Sequence, residues 1–339
     1  MIDPIKPFDI LGPINFYEYF SSRFGAFPEI RAFSIRAYFK LREIMRKKEF
    51  DIIHDNQCLG YGLLLIKTLG VPVVATIHHP LSIDLANIID TASTFFNAGK
   101  AVMFYPILMQ KIVSKRLDHI IAVSEDSKKR NNVHFGVPLE KQTVVYNGLD
   151  RSVFRPLKGV RKIKGKVLFV GNVIDKKKGF DYLLRAMRNV VDDINLTVID
   201  GGSPHRKGIE DLIAHLGLKN RVEFAGKAAT EELVRHYNEA EIAVVPSLYE
   251  GFGFPAAEAM SCGTPVVASD GGALPEVVGE AGITYPARDE FALAEALNSL
   301  YSDRMKMKDF AEKGVERVEK YFSWGKAVDT MVQIYSRFV

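Results

Sequence analysis

The sequence predicts an α/β protein of two domains, each a parallel sheet wrapped by crossover helices. Three observations predict this. From Phe50 onward, short β-branched runs alternate with amphipathic helical patterns. Most of the strand runs are continuously apolar, as expected where helices cover both faces of a parallel sheet. The length of 339 residues suits two domains with a cleft between them, at roughly 100–200 residues per domain.

The elements follow in order. In the first half, strands are expected at Asp51–His54, Pro72–Ile77, His119–Val123 and Thr143–Tyr146, with helices near Leu59–Leu69, Asn97–Leu117 and Glu125–Asn132. The second half repeats the scheme, with strands at Lys166–Val170, Asn195–Asp200, Val222–Ala225, Ile242–Pro246, Pro265–Ser269 and Gly282–Tyr285. A turn-and-charge stretch, Asn147–Pro156 followed by Lys158–Lys166, places the boundary between a domain 1–156 and a domain 157–339. From Asp303 onward the pattern is helical and suits packing on either domain. Before Phe50, the chain holds Pro4, Pro7 and Pro13 and a single helix, Ile30–Lys48.

Composition excludes several classes. Hydrophobic residues at 47% and charged residues at 25% are those of a globular chain, neither disordered nor coiled-coil. Cys58 and Cys262 stand alone in apolar stretches, so neither a disulfide framework nor a zinc site is indicated, and a reducing, cytoplasmic setting is expected. No signal peptide is expected, because Met1–Lys6 lacks a basic stretch followed by an apolar one. The longest apolar run, Ala101–Met109, reaches about half of the ~20 residues a spanning helix needs, and Pro106 interrupts it. The net charge is +4, with basic clusters at Arg36, Lys40, Arg42, Arg46, Lys47 and Lys48 and again from Lys158 to Lys178. A solvated face and an anionic membrane or phosphorylated ligand compete for them; nucleic acid is not expected.

The stretch from Pro246 to Pro265 carries the chemistry. It reads as strand, glycine-containing loop, short helix and stop, with Pro255 suited to a first helical position and Gly263 to the residue past the end. Ligands of open parallel sheets bind beyond the carboxyl ends of strands, and the amides of Gly251, Phe252, Gly253 and Phe254 there suit an anion. Glu250 and Glu258 flank that site with seven residues between them. A carboxylate beside an anion hole suits a vicinal diol, and sugar nucleotides carry both parts. A helix start ending in solvent, with two surface charges, explains the same residues. His78 closes the strand Pro72–Ile77, and the adjacent His79 points to the opposite face, which argues against a metal shared with Asp84. The Gly201-Gly202 turn up to Lys207 lacks dinucleotide-fingerprint spacing.

These residues resemble a known family. Glu250 to Glu258 resembles the EX7E motif of retaining glycosyltransferases of the GT-B fold, and Pro246–Gly272 looks like family 4 of that class almost residue for residue. Gly171-Asn172, Lys178-Gly179, Asp200–Gly202, Val222–Gly226 and Tyr146–Asp150 match in order. The resemblance implies two Rossmann-like domains facing a central cleft, the nucleotide sugar held mainly by the second and the acceptor by the first. It places Glu258 on the nucleotide ribose, and Glu250 with Gly251 to Phe254 on the sugar and phosphate. It places Lys178 at the diphosphate, Gly171 and Asn172 among the donor-binding residues, and His78 near donor sugar and acceptor. The family usually carries arginine where Asn172 stands, so one diphosphate cation is replaced by an amide.

The expected function is retaining transfer from a nucleotide sugar, as co-substrate and without a metal, to a glycolipid, polysaccharide or small molecule. Peripheral contact with the inner face of a membrane is part of that expectation. The rival reading is a non-catalytic GT-B chain that binds a nucleotide sugar or a partner subunit. By the same resemblance the first domain is expected to lack its opening strands, unless Met1–Leu11 supply one, leaving an edge for a partner chain to complete.

Overall fold

The structure, a computed structural model, describes residues 12–23, 28–83, 85, 106–202 and 206–339. The described residues fall into two compact units: those up to Val145 together with Met331–Val339, and Tyr146–Thr330. The division lies after Val145 rather than after Pro156. Residues following Val145 are tied to the second unit, where Phe322 O accepts from Leu149 N at 2.7 Å, Phe154 O from Ser261 Oγ at 2.6 Å and Arg155 O from Asn238 Nδ2 at 3.0 Å. A turn-rich, charged composition marks a loop without marking which core the loop is bonded to.

The first unit opens with α1 (Pro13–Arg23) and α2 (Glu29–Ile44). Two helices therefore stand where one was expected. Pro13, which needs no amide partner at a helix start, begins α1, and its crowded aromatics hide the amphipathic period. Then come β1 (Ile53–Asn56), α3 (Gly62–Lys67), β2 (Val73–Ile77), α4 (Ile107–Arg116), β3 (His119–Ala122), α5 (Glu125–Arg130) and β4 (Gln142–Val144). All pairings are parallel, in the order β1-β2-β3-β4. One face of the sheet packs Val73, Ala75, Ile77 and Ile120 against Leu63, Ile66, Met109 and Val113, all buried. α2 crosses α3 closely because Gly60 and Gly62 have no side chains: a Cβ on Gly62 would lie 2.1 Å from Ser34 O. The candidate opening strand Met1–Leu11, the first part of the expected helix Asn97–Leu117, Asp84 and His205 lie outside the described residues.

The second unit holds β5 (Lys166–Val170), α6 (Phe180–Ala186), β6 (Asn195–Ile199), α7 (Lys207–His215), β7 (Val222–Gly226), α8 (Thr230–Glu239) and β8 (Ile242–Val245). After these come α9 (Phe254–Ser261), β9 (Val266–Ser269), α10 (Leu274–Val278), β10 (Gly282–Tyr285), α11 (Glu290–Ser302), α12 (Arg304–Tyr321) and α13 (Trp324–Tyr335), of which the residues from Met331 onward belong to the first unit. Its six strands are parallel, in the order β10-β9-β8-β5-β6-β7. The order reverses direction at the β5–β8 pair, so the loops leaving these two strands diverge and open a crevice at their carboxyl ends. Val167, Phe169, Leu196, Val198, Ile242 and Val244 form the sheet's share of the core, covered by Phe180, Leu183, Leu184 and Leu297.

Candidate donor and acceptor sites

In the second unit the site grows from the loops after β5 and β8. The loop after β5 turns through Asn172, whose Oδ1 accepts from Ile174 N at 3.0 Å, and Asp175, whose carboxylate caps the short turn Lys176–Lys178. Gly179 then takes φ +64°, and any Cβ there would lie 2.0 Å from Pro246 O. This close approach, with Leu248 N donating to Lys177 O at 2.6 Å, ties the lysine loop to the end of β8. Lys178 and Glu250, 72 positions apart, are brought together by it.

Lys178 Nζ lies 2.6 Å from Glu250 Oε1, and Ser247 Oγ donates to the same oxygen at 2.8 Å. Both charged side chains are mostly covered, at 27% and 13% exposed, so the pair is less screened than a surface ion pair. Glu250 is fixed from behind as well, since its carbonyl accepts from Ala273 N at 2.9 Å. Gly272, at φ +67°, permits this approach, because a Cβ would meet Glu250 O at 2.3 Å. Gly171 lies beside the lysine stem: a Cβ on it would meet the Phe169 ring at 3.2 Å and lie 3.8 Å from Lys178 Cδ.

Gly253, at φ +99°, starts α9. A Cβ there would press on Leu274 at 2.7 Å, so glycine is required on both counts. The amides of Phe252, Gly253 and Phe254 form no hydrogen bond among the described residues, which leaves donors at the helix start as an anion site needs. Phe252 is buried against the Phe322 ring, while Phe254 is 42% exposed. Glu258, one turn into α9, is held separately: Tyr237 Oη donates to its Oε2 at 2.8 Å. Burial pushes the Glu258 carboxyl above its ordinary range, and the tyrosine hydrogen bond opposes that rise.

In the first unit His78 follows β2 directly. Its Nε2 meets Asn56 Oδ1 at 2.8 Å, and its carbonyl accepts from Ser127 Oγ at 3.2 Å. Burial, with His79 next to it, pushes the imidazole below its ordinary value, so it is neutral near pH 7. Asn56 and Gln57 are hydrogen-bonded neighbours of His78 that sequence reading missed. Gln57 adopts φ +60°, which turns its carboxamide onto the amides of His78 and His79 and the carbonyl of His79. The available signal was polar residues at the carboxyl end of a parallel strand. Among the described residues no cluster of potential metal ligands forms.

Comparison with known proteins shows the family. The model of glycosyl transferases group 1 matches residues 151–317, and that of glycosyltransferase family 4 matches residues 10–153. The chain is 34% identical over 341 residues to an MMP alpha-(1->4)-mannosyltransferase of Mycolicibacterium hassiacum, covering 98% of this chain and 81% of that one. It is 30% identical over 315 residues to a D-inositol 3-phosphate glycosyltransferase of Geodermatophilus obscurus, covering 85% and 66%. Sucrose-phosphate synthase from Thermosynechococcus elongatus superposes with a TM-score of 0.74 at 25% identity, over 91% of this chain and 78% of that one. With two parallel-sheet α/β domains and matches along nearly its whole length, the chain belongs to glycosyltransferase family 4 and is a glycosyltransferase of the GT-B fold.

Proposed function

We propose that this glycosyltransferase draws its sugar from a nucleotide-sugar donor held by the second unit and transfers it with retention of configuration. The observation that carries the reading is the Lys178–Glu250 pair set beside the helix start of α9. A lysine and a row of backbone donors suit a diphosphate; carboxylates on either side suit hydroxyls. In this reading Lys178 and the Phe252–Phe254 amides take the diphosphate, Glu250 the sugar hydroxyls and Glu258 the ribose. As the glycosidic bond breaks, negative charge grows on the leaving phosphate oxygen, and Lys178 stabilises it more than it stabilised the bound donor. Retention then follows from same-face attack, in which that oxygen takes the acceptor's proton. The reading requires no resident metal, since lysine and amides supply the positive field. His78, neutral and fixed by Asn56, accepts or donates at a hydroxyl on the acceptor side.

The acceptor in this reading is a carbohydrate or lipid-linked molecule reached at a membrane surface from the cytoplasm. Phe16, Phe20, Phe33 and Phe39 on α1 and α2 are 45–57% exposed, and Lys40, Arg42, Arg46, Lys47 and Lys48 follow on α2 and just after it. Aromatic and basic groups together suit an anionic lipid surface. Arg36 leaves that patch, because it is engaged with Glu18 and Asn15. Among the described residues no helix is long and apolar enough to cross a membrane.

A panel of nucleotide sugars, read by thermal stabilisation of the full chain, tests the donor assignment. Turnover with the best donor, and the anomeric configuration of the product by NMR, tests retention. No stabilisation by any nucleotide sugar sinks the donor reading, and an inverted product sinks retention. Sedimentation with phosphatidylserine vesicles at low salt tests the membrane surface, and absence of binding removes it.

A further inference from the structure

The two motif glutamates are held differently, and the difference assigns a role to a residue outside the motif. α8 passes beside α9 and delivers Tyr237, only 1% exposed, to Glu258. The hydroxyl donates to Oε2 at 2.8 Å, and no other hydrogen bond reaches that carboxylate among the described residues. The tyrosine itself has little freedom. Phe154 meets its ring edge-on at a centroid distance of 6.3 Å, and its carbonyl accepts from Thr264 Oγ1 at 2.6 Å. The next residue, Asn238, is pinned by Arg155 O and by Leu157 N.

A glutamate with both oxygens free samples several rotamers and must be ordered each time it binds a diol. With Oε2 tied to a rigid phenol, the carboxylate plane is set in advance and Oε1 is presented as the acceptor. We propose that Tyr237 is a positioning residue that aims Glu258 at the nucleotide ribose and so sets the preference for a ribonucleotide over its 2'-deoxy counterpart. The proposal rests on the assignment of Glu258 to the ribose made above. A site built around a fixed carboxylate rejects the deoxy ligand because removal of the hydroxyl leaves a buried acceptor unpaired. A carboxylate free to rotate finds another partner and discriminates less.

The test is calorimetric binding of UDP, GDP, 2'-deoxy-UDP and 2'-deoxy-GDP to the full chain and to Tyr237→Phe. The wild type is expected to prefer the ribo form of whichever base binds by about tenfold or more, and Tyr237→Phe to narrow that ratio to roughly threefold or less. A wild type that does not discriminate rejects the ribose role of Glu258 and, with it, this inference. A wild type that discriminates beside a Tyr237→Phe variant with the same ratio, however much weaker both bind, leaves the ribose role standing and overturns the role of Tyr237. If Tyr237→Phe fails to fold, 3-fluorotyrosine at 237 replaces it as the probe. A stronger phenol donor is expected to move the ratio, and an unmoved ratio overturns the inference.

Discussion

Lys178 and Glu250 neutralise one another: the ammonium sits 2.6 Å from a carboxylate oxygen that also takes the Ser247 hydroxyl. In the proposed reading, a diphosphate at the start of α9 competes with Glu250 for Lys178. The ion pair thus keeps the lysine ordered while costing the donor part of its electrostatic attraction. The two partners should therefore behave oppositely. Lys178→Ala is expected to weaken nucleoside-diphosphate binding by on the order of 2 kcal/mol, and with it turnover. Glu250→Gln frees the lysine, so diphosphate binding should hold or tighten while kcat falls about a hundredfold through loss of the sugar contact. Calorimetry and steady-state kinetics on both variants check this. A Lys178→Ala variant that binds the diphosphate like wild type places the diphosphate elsewhere, and weakening in both variants rejects the competition with Glu250.

Ser247 is 1% exposed and has its own carbonyl held by Ser269 Oγ, so its hydroxyl position is set by the β8–β9 pair rather than by solvent. Ser247→Ala removes one of two hydrogen bonds that orient the Glu250 carboxylate without touching Lys178. The expected result is a loss of about tenfold in kcat with donor KM unchanged. A rise in KM alone would count against an orienting role.

Much of this site was legible because its parts are contiguous in sequence. Loop, helix start and both glutamates lie within Pro246–Gly263, and the proline and glycine punctuation marked the α9 ends. Strands such as β5 and β10, bounded by glycine or charge, matched their expected limits residue for residue. The Lys178–Glu250 and Tyr237–Glu258 contacts were not legible, because both depend on which elements become neighbours, and adjacency of β5 with β8 leaves no mark in composition. β1 was misplaced by two residues, at Asp51–His54 instead of Ile53–Asn56. Its end is set by Gln57 at positive φ, a conformation that nothing in Asp55-Asn56-Gln57-Cys58 announces.

Glu258 carries a cost that the proposed ribose contact would explain. Burial raises its pKa, so the folded protein at neutral pH holds a carboxylate where a neutral group would sit more comfortably. Glu258→Gln keeps an oxygen for Tyr237 and removes the charge. The free protein is expected to gain a few degrees in Tm, while donor binding weakens about tenfold or more. Thermal unfolding with and without nucleotide checks both signs. A variant less stable than wild type would show that the charge is compensated by groups other than Tyr237.

The first unit concentrates histidines that burial keeps neutral, and their linkage gives it an acid sensitivity. His54 bridges Thr76 Oγ1 at 2.8 Å and Tyr335 Oη at 2.5 Å, so β1 is tied to the returning chain end. His119 meets Thr143 Oγ1 at 2.9 Å with the Phe338 ring beside it, and Arg337, Lys141 and Lys128 add to the burial that lowers its pKa. His78 and His134 are lowered as well, each mainly by burial. A histidine whose folded pKa lies below its ordinary 6.5 takes up its proton more readily when unfolded. Its contribution to stability is therefore complete above that value and declines as pH falls from 6.5 toward the folded pKa. Four such groups acting together should loosen the first unit as pH drops below about 6.5, with release of 331–339 among the earliest events. Hydrogen exchange, corrected for the pH dependence of the intrinsic rate, is expected to show protection falling in β1 to β4 and in 331–339 before it falls in β5 to β10. His54→Gln with His119→Gln should flatten that dependence. Equal loss of protection in both sheets, or a dependence untouched by the double substitution, would refute the assignment.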